Sequence, residues 1–302
     1  PKKRGRIALA HLMTKHGGVK SEFTVYEWKP GRFYLVSAGA FEAHDHDVLS
    51  KLAPTDGSVT LTPITTQYGV LVLAGPKSRE VLKKLTRTSL TNADFPWLSG
   101  KQIAVGTATA HALRVNFVGE LGWELHHPIE QQNAIFDALM EAGAEFGIKP
   151  FGIRAMTAMA VEKSYRLIPR EMSIEYSAWE SGLDRFVRLD KGDFIGRDAV
   201  LKKRETGLER RLLQFRLKDP EPLLFHNEPV LRDGKIVGFL TSGNYGHALG
   251  AAIGLGYVPC RTDETAAEML ASDYTIDVAG RIVAAEASLA PLYDPKSARV
   301  RG

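Results

Sequence analysis

The sequence predicts an α+β chain in two parts: a mixed region of helices and strands through residue 206, then a small all-β barrel or sandwich over 207–302. Three observations predict it. Up to Gly207, apolar spacings of helical and strand type alternate along the chain. From Arg211 onward the pattern changes to short β-rich segments separated by turn residues. The composition is globular, 44% hydrophobic and 25% charged in 302 residues, a length that fits about two domains.

In the first part, residues 23–26 and 32–36 read as strands around the turn Lys29-Pro30-Gly31. Residues 42–52 read as a helix that stops before Pro54, and 69–73 as a buried apolar strand. Val81, Leu82 and Leu85 stand at helical spacing and mark a helix over 78–85. Over 112–117, Ala112, Arg114 and Asn116 alternate with Leu113, Val115 and Phe117, which predicts a strand with two different faces. Further helices are expected at 131–146 (closed by Gly147), 153–165 and 197–204. In the second part, 212–217, 235–239, 253–258, 274–278 and 281–285 read as strands, with turns at Asp233-Gly234 and Ala279-Gly280.

Charge and composition exclude several classes. The formal net charge is +4, and the basic clusters at 2–6, 202–204 and 210–211 are thin for a nucleic-acid surface. A mild excess of this kind suits an anionic small molecule better. No apolar run approaches the roughly 20 residues of a membrane helix, so neither a nucleic-acid nor a membrane partner is expected. The single cysteine, Cys260, excludes an intrachain disulfide and a multi-cysteine metal site. It fits a reducing compartment, the cytoplasm or, in a eukaryote, the mitochondrial matrix. The first residues do not have the charged-then-apolar pattern of a signal peptide.

Candidate chemistry rests on carboxylates. Neither a dinucleotide fingerprint nor a Walker loop is present. In His44-Asp45-His46-Asp47 the two histidines are two apart on a helix and do not converge, so a surface helix start, not a metal site, is expected. His126-His127 points to opposite sides of a strand. Glu22 follows the His16-Gly17-Gly18-Val19 turn and reads as a base or as an ordinary strand-edge acid. Glu124 follows two glycines and Trp123, in a setting where a carboxylate can accept from a guanidine-like edge. Glu162 lies in an apolar helix beside Lys163 and Arg166, where a structural ion pair is the alternative to a ligand contact. The residues alone leave these alternatives open.

Five ordered motifs then carry a resemblance. They are His16-Gly17-Gly18-Val19-Lys20-Ser21-Glu22-Phe23-Thr24-Val25, Ala74-Gly75-Pro76-Lys77-Ser78-Arg79, Val118-Gly119-Glu120-Leu121-Gly122-Trp123-Glu124-Leu125, Asp193-Phe194-Ile195-Gly196-Arg197-Asp198-Ala199, and Thr241-Ser242-Gly243-Asn244-Tyr245 followed by 253–259. Together they resemble the glycine-cleavage T-protein (aminomethyltransferase) family over nearly the whole chain. Within it, Gly119–Glu124, Val161-Glu162-Lys163-Ser164-Tyr165-Arg166 and Glu180-Ser181-Gly182-Leu183-Asp184 are most similar to the C-terminal folate-binding half of dimethylglycine and sarcosine dehydrogenases or oxidases.

The resemblance implies an aminomethyltransferase-like folate-binding domain over 1–206, N-terminally incomplete, and the family's C-terminal β-barrel over 207–302. It implies tetrahydrofolate as cofactor, with FAD only in a preceding domain. The implied activity is capture of the one-carbon unit of an oxidised N-methyl amine as 5,10-methylenetetrahydrofolate. By position, Glu22 matches the family's catalytic aspartate, with one methylene more. Thr24, the backbone at Val36, Phe117 (where tyrosine is common), Glu124 and Glu162 match folate-lining positions. Ser37 and Ala160 replace a frequent asparagine and arginine, and Lys191 is a candidate for the folate's glutamate tail. Alternatives are a stand-alone aminomethyltransferase using a lipoyl carrier protein, a folate-dependent demethylase, and a non-catalytic folate binder. Against a repair-factor branch, Asp190-Lys191-Gly192-Asp193 lacks that branch's Lys-Gly-Cys motif.

Overall fold

Two tight reversals organise the start of the chain. In the computed structural model, which describes residues 3–302, β1 (Ile7–Met13) turns through Gly17 into β2 (Val19–Lys29). Pro30 and Gly31 then turn β2 into β3 (Arg32–Val36). Gly17 stands at φ 84, in the left-handed region that favours glycine. The strands pair antiparallel with β2 central, His11 opposite Glu22 and Thr24 opposite Val36. Strand alternation places Glu22, Thr24 and Tyr26 on one face and Ser21 and Phe23 on the other.

The second face receives α1 (Glu42–Leu52), where buried Asp45 accepts a hydrogen bond from Ser21 Oγ at 2.7 Å. This corrects the expectation of a plain surface helix start at 44–47. Asp45 faces inward because a buried serine hydroxyl on β2 needs an acceptor.

A second antiparallel sheet follows, built from β4 (Tyr68–Ala74), β5 (Gly100–Val105), β6 (Ala108–Leu113) and β7 (Gly122–Pro128), with α2 (Ser78–Lys83) between β4 and β5. The strand order is β4-β7-β6-β5. One face packs on α2 and on α3 (Gln132–Gly143) through Leu73, Leu82, Trp123, Leu125, Ile135 and Leu139. Fully burying each such side chain contributes about 1.5–3 kcal/mol, so this core fixes β7 firmly. The other face carries His111, Leu113, Glu124 and His126, which are register neighbours on β6 and β7. That face turns to the three-stranded sheet: the Trp28 and His111 ring centroids are 4.2 Å apart, and Tyr34 meets His126 at 5.4 Å.

The expected strand over 112–117 is corrected. β6 begins earlier and ends at Leu113, and the polar members of the alternation do not face water. Arg114 is buried and donates to the Phe95 and Arg301 carbonyls, while Asn116 holds the following turn through the Val118 and Gly119 amides. Alternation mimicked a two-faced strand because internal polar groups occupied every second position. β1, β5 and β9 (below) were not expected either.

Helix α4 (Ile153–Glu162) ends three residues short of the expected 165. Ser164 takes a left-handed φ of 54, the Tyr165 amide reaches back to the Ala160 carbonyl, and the Ser164 amide to Val161. This is a Schellman closure with serine in the usual glycine place. After α5 (Arg197–Thr206), the strands β8 (Arg210–Leu217), β9 (Pro229–Arg232), β10 (Lys235–Gly246), β11 (Ala251–Pro259), β12 (Tyr274–Val278) and β13 (Arg281–Ser288) form a closed barrel. Its order is β10-β11-β8-β13-β12-β9, with α6 (Ala266–Leu270) between β11 and β12. Leu213, Phe215, Val230, Leu240 and Ile276 fill it. Val161 of α4 packs with Leu212, Ile253, Leu255 and Tyr257 and so seats the helix on the barrel. The last helix, α7 (Ala298–Arg301), brings Arg301 back to Arg114. No described helix is long and apolar enough to cross a membrane.

Candidate functional site

Pairing register gathers three of the six candidate residues on one sheet face. Glu22 and Thr24 are two apart on β2, and Val36 is the direct partner of Thr24 on β3. Glu22 is 28% exposed and its Oε1 lies 2.9 Å from Nε2 of His11, whose side chain is 3% exposed. A carboxylate only accepts, so the His11 Nε2 carries the proton of this bond. The Phe186 ring packs on His11 at 5.7 Å, with Arg185 stacked 4.7 Å over it. Glu22 is therefore a half-open acid with one oxygen tethered.

Glu124 comes from the opposing sheet. Its Oε2 is 3.2 Å from His126 Nε2, and His126 Nδ1 is 3.2 Å from the Tyr34 hydroxyl on β3. Because Glu124 accepts, His126 donates through Nε2, and its bare Nδ1 then accepts from Tyr34. Burial pushes Tyr34 up to about 12, with Tyr68 and Glu124 adding to the rise, so it remains a neutral donor. The chain Tyr34–His126–Glu124 thus ties the two sheets and orients a carboxylate that stays partly open to solvent.

The other two candidates sit at the α4 end of the molecule. Phe117 packs 5.5 Å from Tyr165 at 40°, both rings half-buried. Burial pushes Tyr165 up to about 12, against Arg185, which lowers it. Glu162 is 4% exposed and makes no ion pair among the described residues. Its Oε1 instead accepts the Ala248 amide at 2.7 Å and the Leu249 amide at 3.3 Å, in the β10–β11 turn of the barrel. Burial raises the Glu162 pKa, and those two amides and His247 oppose the rise. The neighbouring Lys163 pairs with Asp294 at 2.7 Å. Lys191 is exposed and lies over Phe194, and Ala160 is fully buried.

His11, His126 and Tyr165 touch candidate residues, and Tyr34 reaches Glu124 through His126; none of the four was among the sequence candidates. The spacing Glu124-x-His126 was the available signal for one of them, since residues two apart share a strand face. No group of histidine, cysteine and acidic residues able to hold a metal occurs among the described residues. A cavity of about 680 Å³ on the barrel flank, walled by Tyr176, Phe239 and Tyr257, contains none of the candidates.

Comparison with known proteins matches two family models in order along the chain. The family model for the GCVT N-terminal domain matches residues 1–191, and that for the glycine cleavage T-protein C-terminal barrel domain matches 210–294. Mitochondrial dimethylglycine dehydrogenase of Homo sapiens is 38% identical over 282 residues, 90% of this chain and 32% of that protein. The chain therefore spans about a third of the length of that relative. An aminomethyltransferase of Thermoanaerobacter sp. (strain X514) is 29% identical over 256 residues, 85% of this chain and 69% of its own. The crystal structure of glycine cleavage system aminomethyltransferase T from Bartonella henselae matches with a TM-score of 0.81 at 19% identity, covering 97% of this chain and 77% of that one, a likeness of fold. With both family domains matched in order, the chain belongs to the glycine cleavage T-protein family.

Proposed function

We propose that the chain is a tetrahydrofolate-dependent one-carbon transferase that captures the methylene unit of an oxidised N-methyl amine of dimethylglycine or sarcosine type. Its setting would be a flavin-dependent dehydrogenase, as the likeness to dimethylglycine dehydrogenase suggests. The observation that carries the reading is the placement of two partly open carboxylates on facing sheets. Glu22 shares a face with Thr24 and Val36, and Glu124 is turned to that face by Tyr34 and His126.

The residues fit a ligand with a flat ring and a donor-rich edge. Glu124 keeps acceptor capacity beyond its one histidine contact, and Phe117 with Tyr165 offers half-buried ring faces. When bound, tetrahydrofolate supplies the amine nitrogen that takes up the one-carbon unit.

The chain's own work is to hold, orient and move a proton. Glu124 anchors the donor edge, Thr24 and the Val36 backbone line the ligand, and Glu22 takes the proton released by the attacking nitrogen. General-base assistance contributes on the order of 10²–10⁴-fold. Confinement of both reactants contributes more, about 7–11 kcal/mol in favourable cases. Glu162 acts first on the barrel turn, so Glu124 is the principal reader of the ligand edge. In this reading residues 1–206 form the folate domain, and 207–302 the barrel that fastens α4 against it.

Calorimetric titration with tetrahydrofolate tests the proposal. The wild-type chain should bind saturably, and Glu124→Gln should weaken binding by about tenfold or more, the loss of one charge-assisted contact. Absence of binding by the wild type overturns it.

A further inference from the structure

Away from Glu22 and Glu124, a cavity of about 490 Å³ opens where β2 meets β5 and β6. That size falls among small-molecule sites, about 300–1,000 Å³. Arg4, Lys29 and Lys101 line it. The carboxylate on its wall, Glu27, accepts the Gly31 amide at 3.3 Å in the β2–β3 turn. None of the three cations makes an ion pair among the described residues. Lys101 turns its ammonium away to the opposite sheet face, 5.3 Å from the Phe95 ring centroid and beside Asp94, so Arg4 and Lys29 are the cations that face the cavity.

The cavity also carries an unmet polar group. His111 lines it at 7% exposure, and its Nδ1 has no hydrogen-bond partner among the described residues. A buried polar atom left in this state costs about 1–3 kcal/mol. Burial, with the charges of His126 and Lys29, pulls His111 down to about 4, so it is a neutral imidazole near pH 7. Trp28 completes the wall with a flat apolar surface set edge-on to His111.

We propose that this cavity binds a small organic anion, with a phosphate or carboxylate group held by Arg4 and Lys29 and a flat apolar part against Trp28 and His111. Lys29, whose charge acts on His111, and Arg4, whose charge acts on Tyr26, supply attraction and steering. The site shares none of the six candidate residues of the folate reading and does not depend on it.

Titration of the full chain with phenyl phosphate and with benzoate, followed by calorimetry and by the His111 ring resonances, tests the proposal. At least one probe should bind saturably, shift those resonances and weaken as salt is raised. Tighter phenyl phosphate identifies a phosphoryl ligand, and tighter benzoate a carboxylate. The double variant Arg4→Gln/Lys29→Gln, whose folding is checked by its melting temperature, should lose about tenfold or more in affinity. The proposal is overturned if neither probe saturates, if the double variant binds as tightly as wild type, or if the His111 resonances do not move.

Discussion

His11 and Glu22 face each other across the β1–β2 pair, Nε2 to Oε1 at 2.9 Å. A glutamate arm has one more rotatable bond than an aspartate, and an untethered arm samples more positions. The buried histidine, backed by Phe186, removes that freedom and leaves the carboxylate in one place.

For Glu22→Gln, the amide can still accept from His11, so the melting temperature should stay close to wild type. The rate of tetrahydrofolate-dependent one-carbon capture should fall by about 100-fold or more. His11→Leu leaves the acid but frees it, and should cost about tenfold in the same rate. Single-turnover measurement of methylenetetrahydrofolate formation checks both. An undiminished rate in Glu22→Gln removes the base assignment.

Tyr34→Phe deletes the donor to His126 Nδ1 and leaves that buried nitrogen bare. The expected cost is about 1–3 kcal/mol, a fall of a few degrees in melting temperature. Because His126 orients Glu124, tetrahydrofolate affinity should fall too. Weakened binding with unchanged stability, or the reverse, would uncouple the two roles.

The Lys163–Asp294 pair has side-chain exposures of 1% and 8%. Burial opposes ionisation of Asp294, but the Lys163 hydrogen bond and the Ala298 and Arg299 amides outweigh it and hold its carboxyl below the usual 3.8. A lowered carboxyl pKa gives stability that is fully present above the ordinary value and is lost as the pH falls through the folded one. Asp294→Asn should therefore cost about 3–5 kcal/mol near neutrality by leaving Lys163 uncompensated. The gap to wild type should narrow on acidification below about pH 4. Denaturant unfolding across that range reads the difference directly.

At Gly18, an added Cβ would lie 2.1 Å from the Ile174 carbonyl oxygen, a backbone atom that cannot swing away. Gly18→Ala should cost more than about 4 kcal/mol and sharply reduce folded yield. Gly39→Ala, with nothing within 4 Å, is the control and should express normally.

Much of this architecture is legible in the sequence where local chemistry decides it. The turn at 29–31 sets β3 at its expected bounds, the stop before Pro54 ends α1, and alternating turns betray a β-rich second part. The contacts that shape the candidate site are of another kind. β1 reads as a nearly unbroken apolar run, so nothing local aligns His11 with Glu22. Tyr34 and His126 are 92 residues apart, and only the packing of one sheet on another joins them. Asp45 and Arg114 look like solvent residues because sequence shows their charge and hides their buried partners. Glu162 reads as a ligand acid or ion-pair partner, yet the barrel amides that hold it belong to a turn 86 residues downstream.

Arg114 and Lys163 are buried cations of the first part, and their acceptors, the Arg301 carbonyl and Asp294, lie beyond the last barrel strand in sequence. On the ribosome, the first part is complete in sequence long before it is complete in structure. Both cations must stay hydrated, and the surfaces around them open, until residues 294–301 emerge. Its final sealing waits for the whole barrel, and a nascent chain stalled within the barrel would carry an unclosed first part into contact with the chaperones.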